Sequence, residues 1–106
     1  MNKNKILSLL GFAQKAGKVI SGENTVHIFL KRKNTKIHLV LLAEDTSQES
    51  KKKFTNKLQN KNIKYRIFGT KEQLGRSIGK NSRAILGITD SGLAQKILDL
   101  LEEEEP

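Results

Sequence analysis

Residues Ile37-His38-Leu39-Val40-Leu41-Leu42-Ala43 form the most hydrophobic run of this 106-residue chain. Seven residues are too few for a helix that spans a domain. The branched side chains suit a strand buried on both faces. A strand of that kind needs covering layers on each side, so the remaining segments must supply amphipathic helices.

They have the spacing to do so. Ile6, Leu9, Leu10, Ala13 and Ala16 recur at helical intervals and predict a first helix from about Lys3 to Lys15, closed by Gly17. Lys18-Val19-Ile20-Ser21 reads as a short strand, and Gly22 separates it from a second helix over about Glu23 to Lys33. A lysine-rich surface helix over Gln48 to Asn60 shows Phe54 and Leu58 to the core. Lys64 to Phe68 alternates as a half-exposed strand, and Lys71 to Ile78 forms a short helix. Ala84 to Thr89 is the last strand. Asp90 or Ser91 caps a final helix to about Leu101, with Leu93, Ala94, Ile97, Leu98 and Leu101 facing inward. The expected fold is α/β, a three-layer α/β/α sandwich. Residues 1–101 form one domain and residues 102–106 an acidic tail. Periodicity does not set the strand order.

Charge narrows the partner. The chain carries 20 Lys and Arg against 11 Asp and Glu. Four of those acids are the run Glu102 to Glu105, which leaves residues 1–101 at a net +13. Such an excess favours a polyanion through counterion release and long-range attraction. No basic amphipathic anchor or membrane-length segment stands out, so nucleic acid is expected and membrane is not. The apolar stretch Ile6 to Ala13 after Lys3 and Lys5 is read as the first helix, not as a signal peptide. The absence of cysteine excludes disulfides and thiolate metal sites and fits a cytoplasmic setting.

Catalytic and cofactor chemistry finds little support. The two histidines, His27 and His38, lack metal-pair spacing. Glu44-Asp45 at the end of the apolar strand is a candidate carboxylate pair, but capping of the following helix explains it more simply. Gly75-Arg76-Ser77-Ile78-Gly79-Lys80-Asn81-Ser82 resembles a phosphate-binding P-loop only superficially. Three residues separate its glycines instead of four, Asn81 follows the lysine, and the segment runs from helix to strand. The chain is therefore expected to be no enzyme and to need no cofactor or metal.

The most informative segment is Gly17 to Thr25. Gly22, without a side chain, permits close approach of a ligand backbone at the start of a helix. The helix start favours anions, and Asn24 in the first turn can donate and accept at a base edge. Lys18 before the turn, and Lys31 and Arg32 beyond it, add positive charge. On these residues alone, an ordinary turn on a basic surface is an equally good reading.

Four segments in order break the tie: Gly17-Lys18-Val19-Ile20-Ser21-Gly22-Glu23-Asn24, Leu42-Ala43-Glu44-Asp45, Leu74-Gly75-Arg76-Ser77-Ile78-Gly79, and the strand Ala84 to Asp90. Together they resemble the kink-turn-binding family of large-subunit ribosomal proteins, the "seven-Ae and thirty-e" group, and within it the bacterial YlxQ-type members. The resemblance covers nearly the whole chain. It implies a four-stranded mixed sheet and RNA binding without catalysis, with an association with the ribosome as the expected setting and a monomer as the expected state. It places Gly22, Glu23, Asn24 and Thr25 in an RNA major groove opened by the kink, and Lys80, Asn81, Ser82 and Arg83 over the bulged nucleotides. Two positions depart from the family pattern. Thr25 stands where a glutamate is frequent, and Ile28 where a lysine is usual. The loop at 80–83 is also more charged than is common. The alternative reading is a protein–protein adaptor of the translation machinery with weak nonspecific RNA affinity, docking through Lys51, Lys52, Lys53 and Lys57.

Overall fold

The computed structural model describes residues 2–103. The chain runs α1 (Lys3–Lys15), β1 (Val19–Ser21), α2 (Glu23–Leu30), β2 (Leu39–Leu42), α3 (Gln48–Asn60), β3 (Lys64–Ile67), α4 (Lys71–Ser77), β4 (Ile85–Ile88) and α5 (Ser91–Glu102). The four strands form one sheet in the order β1-β4-β2-β3. β2 pairs parallel with β3 and antiparallel with β4, and β4 pairs antiparallel with β1, so the sheet is mixed.

The apolar run behaves as its composition demands. All four residues of β2 are buried, as are all four of β4 beside it. Alternation then sorts their side chains between two cores. Leu39, Leu41, Leu86 and Ile88 meet Ile6 and Leu10 of α1, Leu74 of α4, and Ala94, Ile97 and Leu98 of α5. Val40, Leu42 and Ile85 meet Val26 and Leu30 of α2 and Phe54 and Leu58 of α3. The result is the three-layer α/β/α sandwich. β3 at one edge is mostly exposed, and Ile67 keeps 47% of its surface in solvent.

β1, β3, β4 and α4 each stop one residue short of expectation at one end or both, and three larger differences have physical reasons. α2 stops at Leu30, with Lys31 as its cap, because the apolar stripe ends there and Lys31, Arg32 and Lys33 have nothing to bury. The core-facing strand segment is shorter than the apolar run: Ile37 and Ala43 are buried outside the ladder, and His38 is exposed. On α5, Leu100 is buried while Leu93 and Leu101 are only half-buried, since α1 lies alongside and widens the covered face. Asn2 Nδ2 ties the two helices by donating to the Leu100 carbonyl at 2.9 Å. α5 includes Glu102, and residues 104–106 of the expected tail lie outside the described residues.

Candidate nucleic-acid interface

Helix starts in this protein are handled in two ways. α3, α4 and α5 each carry a side-chain cap. Ser47 accepts from the Ser50 amide, Thr70 from the Gln73 amide in a reciprocal capping box, and Asp90 from the Leu93 amide. α2 begins instead at Gly22, which offers no side chain. The first-turn amides of Glu23, Asn24 and Thr25 therefore stay open to a ligand. Gly22 has φ +92° and ψ 152°, a conformation almost confined to glycine. Its N–H donates to the Ile85 carbonyl at 3.0 Å, which ties the turn to β4. Nothing lies within 4 Å of where a Cβ would stand, so the approach to this backbone is clear.

The loop after α4 forms the facing wall, and a glycine seats it. A Cβ on Gly75 would stand 2.0 Å from the Asn81 carbonyl oxygen and 3.0 Å from Ser82 Cα. Only a bare helix surface admits the loop at that distance. The Lys80 amide donates to the Gly75 carbonyl at 2.8 Å, and the Arg83 amide to the Lys71 carbonyl at 3.0 Å. The segment that superficially resembled a P-loop is thus a helix end with a loop folded back on it. Arg83 braces the assembly. Its Nη1 donates to the carbonyls of Asn81 and Ser82, at 3.1 and 3.0 Å, and its Nε to Ser21 Oγ at 3.3 Å. None of these bonds uses Nη2.

Between the two walls lies a groove of about 620 Å³. Ser21 to Thr25 form one side and Ser82, Arg83 and Ala84 the other, with Thr46, Ser47, Ser50 and Lys71 completing the lining. Lys71 and Arg83 supply positive charge. The acid in the lining, Glu23, accepts a hydrogen bond from Ser50 Oγ at 3.2 Å. Asp45 holds Lys71 in place: its Oδ1 accepts from the Lys71 amide at 2.8 Å. The carboxylate expected to cap α3 therefore takes the first amide of α4, which Thr70 caps, while Ser47 caps α3.

Six of the residues singled out in the sequence meet here: Gly22, Glu23, Asn24, Thr25, Ser82 and Arg83. Lys80 and Asn81 belong to the same loop and are exposed, but they do not line the groove. Lys18 lies at the opposite end of β1, where its carbonyl accepts from the Thr89 amide, roughly 10 Å of strand away. Lys31 and Arg32 follow the far end of α2, roughly 14 Å along its axis from Gly22. Arg32 stacks there on the Phe29 ring, 4.1 Å from its centroid. Sequence reasoning missed Thr46, Ser47, Ser50 and Lys71 as lining residues. The available signal was the end of the apolar strand, where α/β sheets gather binding groups.

No group of three metal-ligating side chains comes together among the described residues. His38 is exposed. His27 Nδ1 lies 2.5 Å from Lys57 Nζ of α3. Burial, then the charges of Lys57, Lys31 and Lys53, hold His27 below its ordinary value. Burial and the charges of Lys53 and Lys31 likewise lower Lys57.

A model of the ribosomal protein L7Ae/L30e/S12e/Gadd45 family matches residues 4–98. The chain belongs to this family. Every residue of the groove falls inside the span that carries the L7Ae/L30e/S12e/Gadd45 pattern. Over 94 residues the chain is 42% identical to the RNA-binding protein YlxQ of Bacillus subtilis (strain 168), covering 89% of this chain and 92% of that one. It is 33% identical over 101 residues to the RNA-binding protein YlxQ of Enterococcus faecium, covering 95% of each. Among solved structures it is similar to a Bacillus halodurans protein of unknown function, with a TM-score of 0.86 and 35% identity over 92% of this chain and 97% of that one. A 15.5kD RNA binding protein of Giardia lamblia shares the fold at a TM-score of 0.74 and 19% identity, over 96% of this chain and 86% of its own.

Proposed function

We propose that this chain is a non-catalytic, monomeric RNA-binding protein of the cytoplasm that recognises kink-turn or related structured RNA, working in association with the ribosome. One observation carries the reading: the uncapped start of α2 at Gly22 opens, with Asn24 exposed, onto a groove whose far wall is braced by Arg83. The names of the two YlxQ relatives support the RNA part of it.

The chemistry divides between positioning and reading. Open amides at the helix start, with Lys71 and Arg83 opposite, suit phosphate oxygens. Asn24 suits a base edge, because its amide donates and accepts together. An ordinary A-form major groove is too narrow to admit such groups, whereas a sharp kink with non-Watson–Crick pairs opens it. Thr25 and Ile28 lie on the same helix, and Ile28 is 56% exposed. Where relatives in the resembled family carry charge, these positions offer a hydroxyl and an apolar surface, so Asn24 bears more of the discrimination.

The test is a titration of the protein against a kink-turn duplex and a control of equal length in which the sheared pairs are replaced by Watson–Crick pairs. Tighter binding to the kinked RNA is expected. Asn24→Ala should close that gap by about 1–3 kcal/mol, the value of one good base contact. Equal affinity of the parent protein for both RNAs at moderate salt would overturn kink-turn recognition.

A further inference from the structure

A second group of cations lies away from the groove, on the side of the molecule where α2 and α3 meet. The helices touch first at Glu23 and Ser50, 3.2 Å apart, and then at His27 and Lys57, 2.5 Å apart. Lys31 stands one turn beyond His27 and Lys53 one turn before Lys57. Lys53 and Lys57 flank the buried Phe54 ring at 5.8 and 5.7 Å from its centroid. The charges that act on His27 from these two helices are Lys57, Lys31 and Lys53. The acid nearest along α2 is Glu23, one turn back and already bonded to Ser50. Three ammonium groups and an imidazole are thus gathered; the nearest acids along the two helices, Glu23 and Glu49, stand one turn before His27 and Lys53, and neither forms an ion pair with the cluster among the described residues. Like charges held together raise the free energy of the unbound protein, and a polyanion is the partner that relieves it.

We propose that His27, Lys31, Lys53 and Lys57 form a second phosphate-binding site, which grips the RNA stem leaving the groove. The proposal rests on the RNA-binding reading above and extends it to α3. Asn24 and Lys31 are seven residues apart on α2 and its cap, roughly 10 Å. That equals the rise of about three to four base pairs of a duplex, so the cluster meets flanking stem and not the bases read by Asn24. Contact with phosphate is indifferent to sequence, and this site adds affinity without discrimination.

Protons follow from the same geometry. In the free protein the surroundings of His27 favour the neutral imidazole, and in the tautomer with a free Nδ1 lone pair that nitrogen accepts from the Lys57 ammonium. An arriving phosphate favours the charged imidazole. His27 then takes one proton from solvent, both ring nitrogens become donors, and the Lys57 ammonium turns from the ring to the phosphate. Because binding takes up a proton, affinity rises as the pH falls below neutrality.

The experiment uses the full chain and the kink-turn duplex with long flanking stems, read as affinity against salt and against pH. The combined variant Lys31→Gln, Lys53→Gln, Lys57→Gln should lower the slope of log K against log salt by about two to three, given about 0.9 per phosphate contact. It should weaken kinked and plain duplexes alike. His27→Gln should remove the tightening between about pH 7.5 and pH 5.5 that proton uptake predicts. An unchanged salt slope in a triple variant that melts like the parent overturns the second site and leaves kink-turn recognition intact. Retained pH dependence in His27→Gln overturns the proton step. Loss of discrimination with the slope effect preserved sinks kink-turn recognition alone, and a parent that binds no RNA sinks both.

Discussion

Arg83 Nε reaches Ser21 Oγ at 3.3 Å across 62 positions of sequence, and it joins the loop before β4 to the end of β1. The same guanidinium holds the carbonyls of Asn81 and Ser82. One side chain thereby sets the distance between the two walls of the groove. A residue first read as covering bulged nucleotides has a structural duty as well, and the two are separable because Nη2 takes no part in the bracing.

Arg83→Lys keeps the charge and loses the planar fork that satisfies three acceptors at once. Stability should fall by about 1 kcal/mol, in line with one or two net hydrogen bonds. RNA affinity should fall by roughly tenfold as the walls loosen, a change of about 1.4 kcal/mol. Thermal unfolding and RNA titration of the same preparation measure both.

Gly75→Ala sets two effects against each other. Alanine improves helix propensity by about 1 kcal/mol. Its Cβ, however, would meet backbone at 2.0 Å, and backbone cannot swing aside as a side chain would. Overpacking of this kind costs about 1–3 kcal/mol, so net destabilisation and a displaced loop are expected. A melting temperature equal to or above the parent's would show that the loop is not seated on Gly75.

At Gly22 the space is open and the backbone is the constraint. Gly22→Ala should destabilise by about 1–3 kcal/mol through strain at φ +92°. Asn24→Ala, an exposed neighbour, should leave the melting temperature nearly unchanged while weakening RNA. Comparing the two variants by calorimetry and binding separates the turn's conformational role from its contact role.

His27 gives stability a pH dependence of definite sign. Burial and three nearby lysines hold it below the ordinary value of 6.5. The unfolded chain therefore binds a proton more readily than the folded one, and stability drops as pH falls through 6.5 toward the lowered value, then levels off. His27→Gln should flatten this step in melting temperature measured without RNA between about pH 7.5 and pH 5. An unaltered profile would mean that the imidazole is as free in the fold as in the open chain.

The layers were legible in the sequence because burial leaves a periodic trace. The run around Leu39–Leu42 and the spacing of Ile6, Leu10 and Ala13 each state which face is hidden. Strand order left no such trace, since any arrangement with β2 inside buries it equally well. The groove was half legible for a related reason. Gly22 and Asn24 stand two positions apart in one short turn and announce themselves. Thr46, Ser50 and Lys71 are ordinary polar residues that acquire meaning only when the topology brings three elements together. Lys18 and Lys31 were drawn into the site by charge alone, and charge says nothing about which end of a strand or helix a residue occupies.

The bare surface at Gly75 has an engineering consequence. The loop is fastened through its backbone at Lys80 and Arg83, while the side chains of Lys80, Asn81 and Ser82 are exposed. Its chemistry is thus free to drift while its length is locked to the mount beneath it. Exchanging those three residues for the counterparts of a relative of equal loop length should retune target choice and leave the scaffold untouched, whereas a one-residue insertion should unseat it. The protein carries an interchangeable tip on a keyed socket.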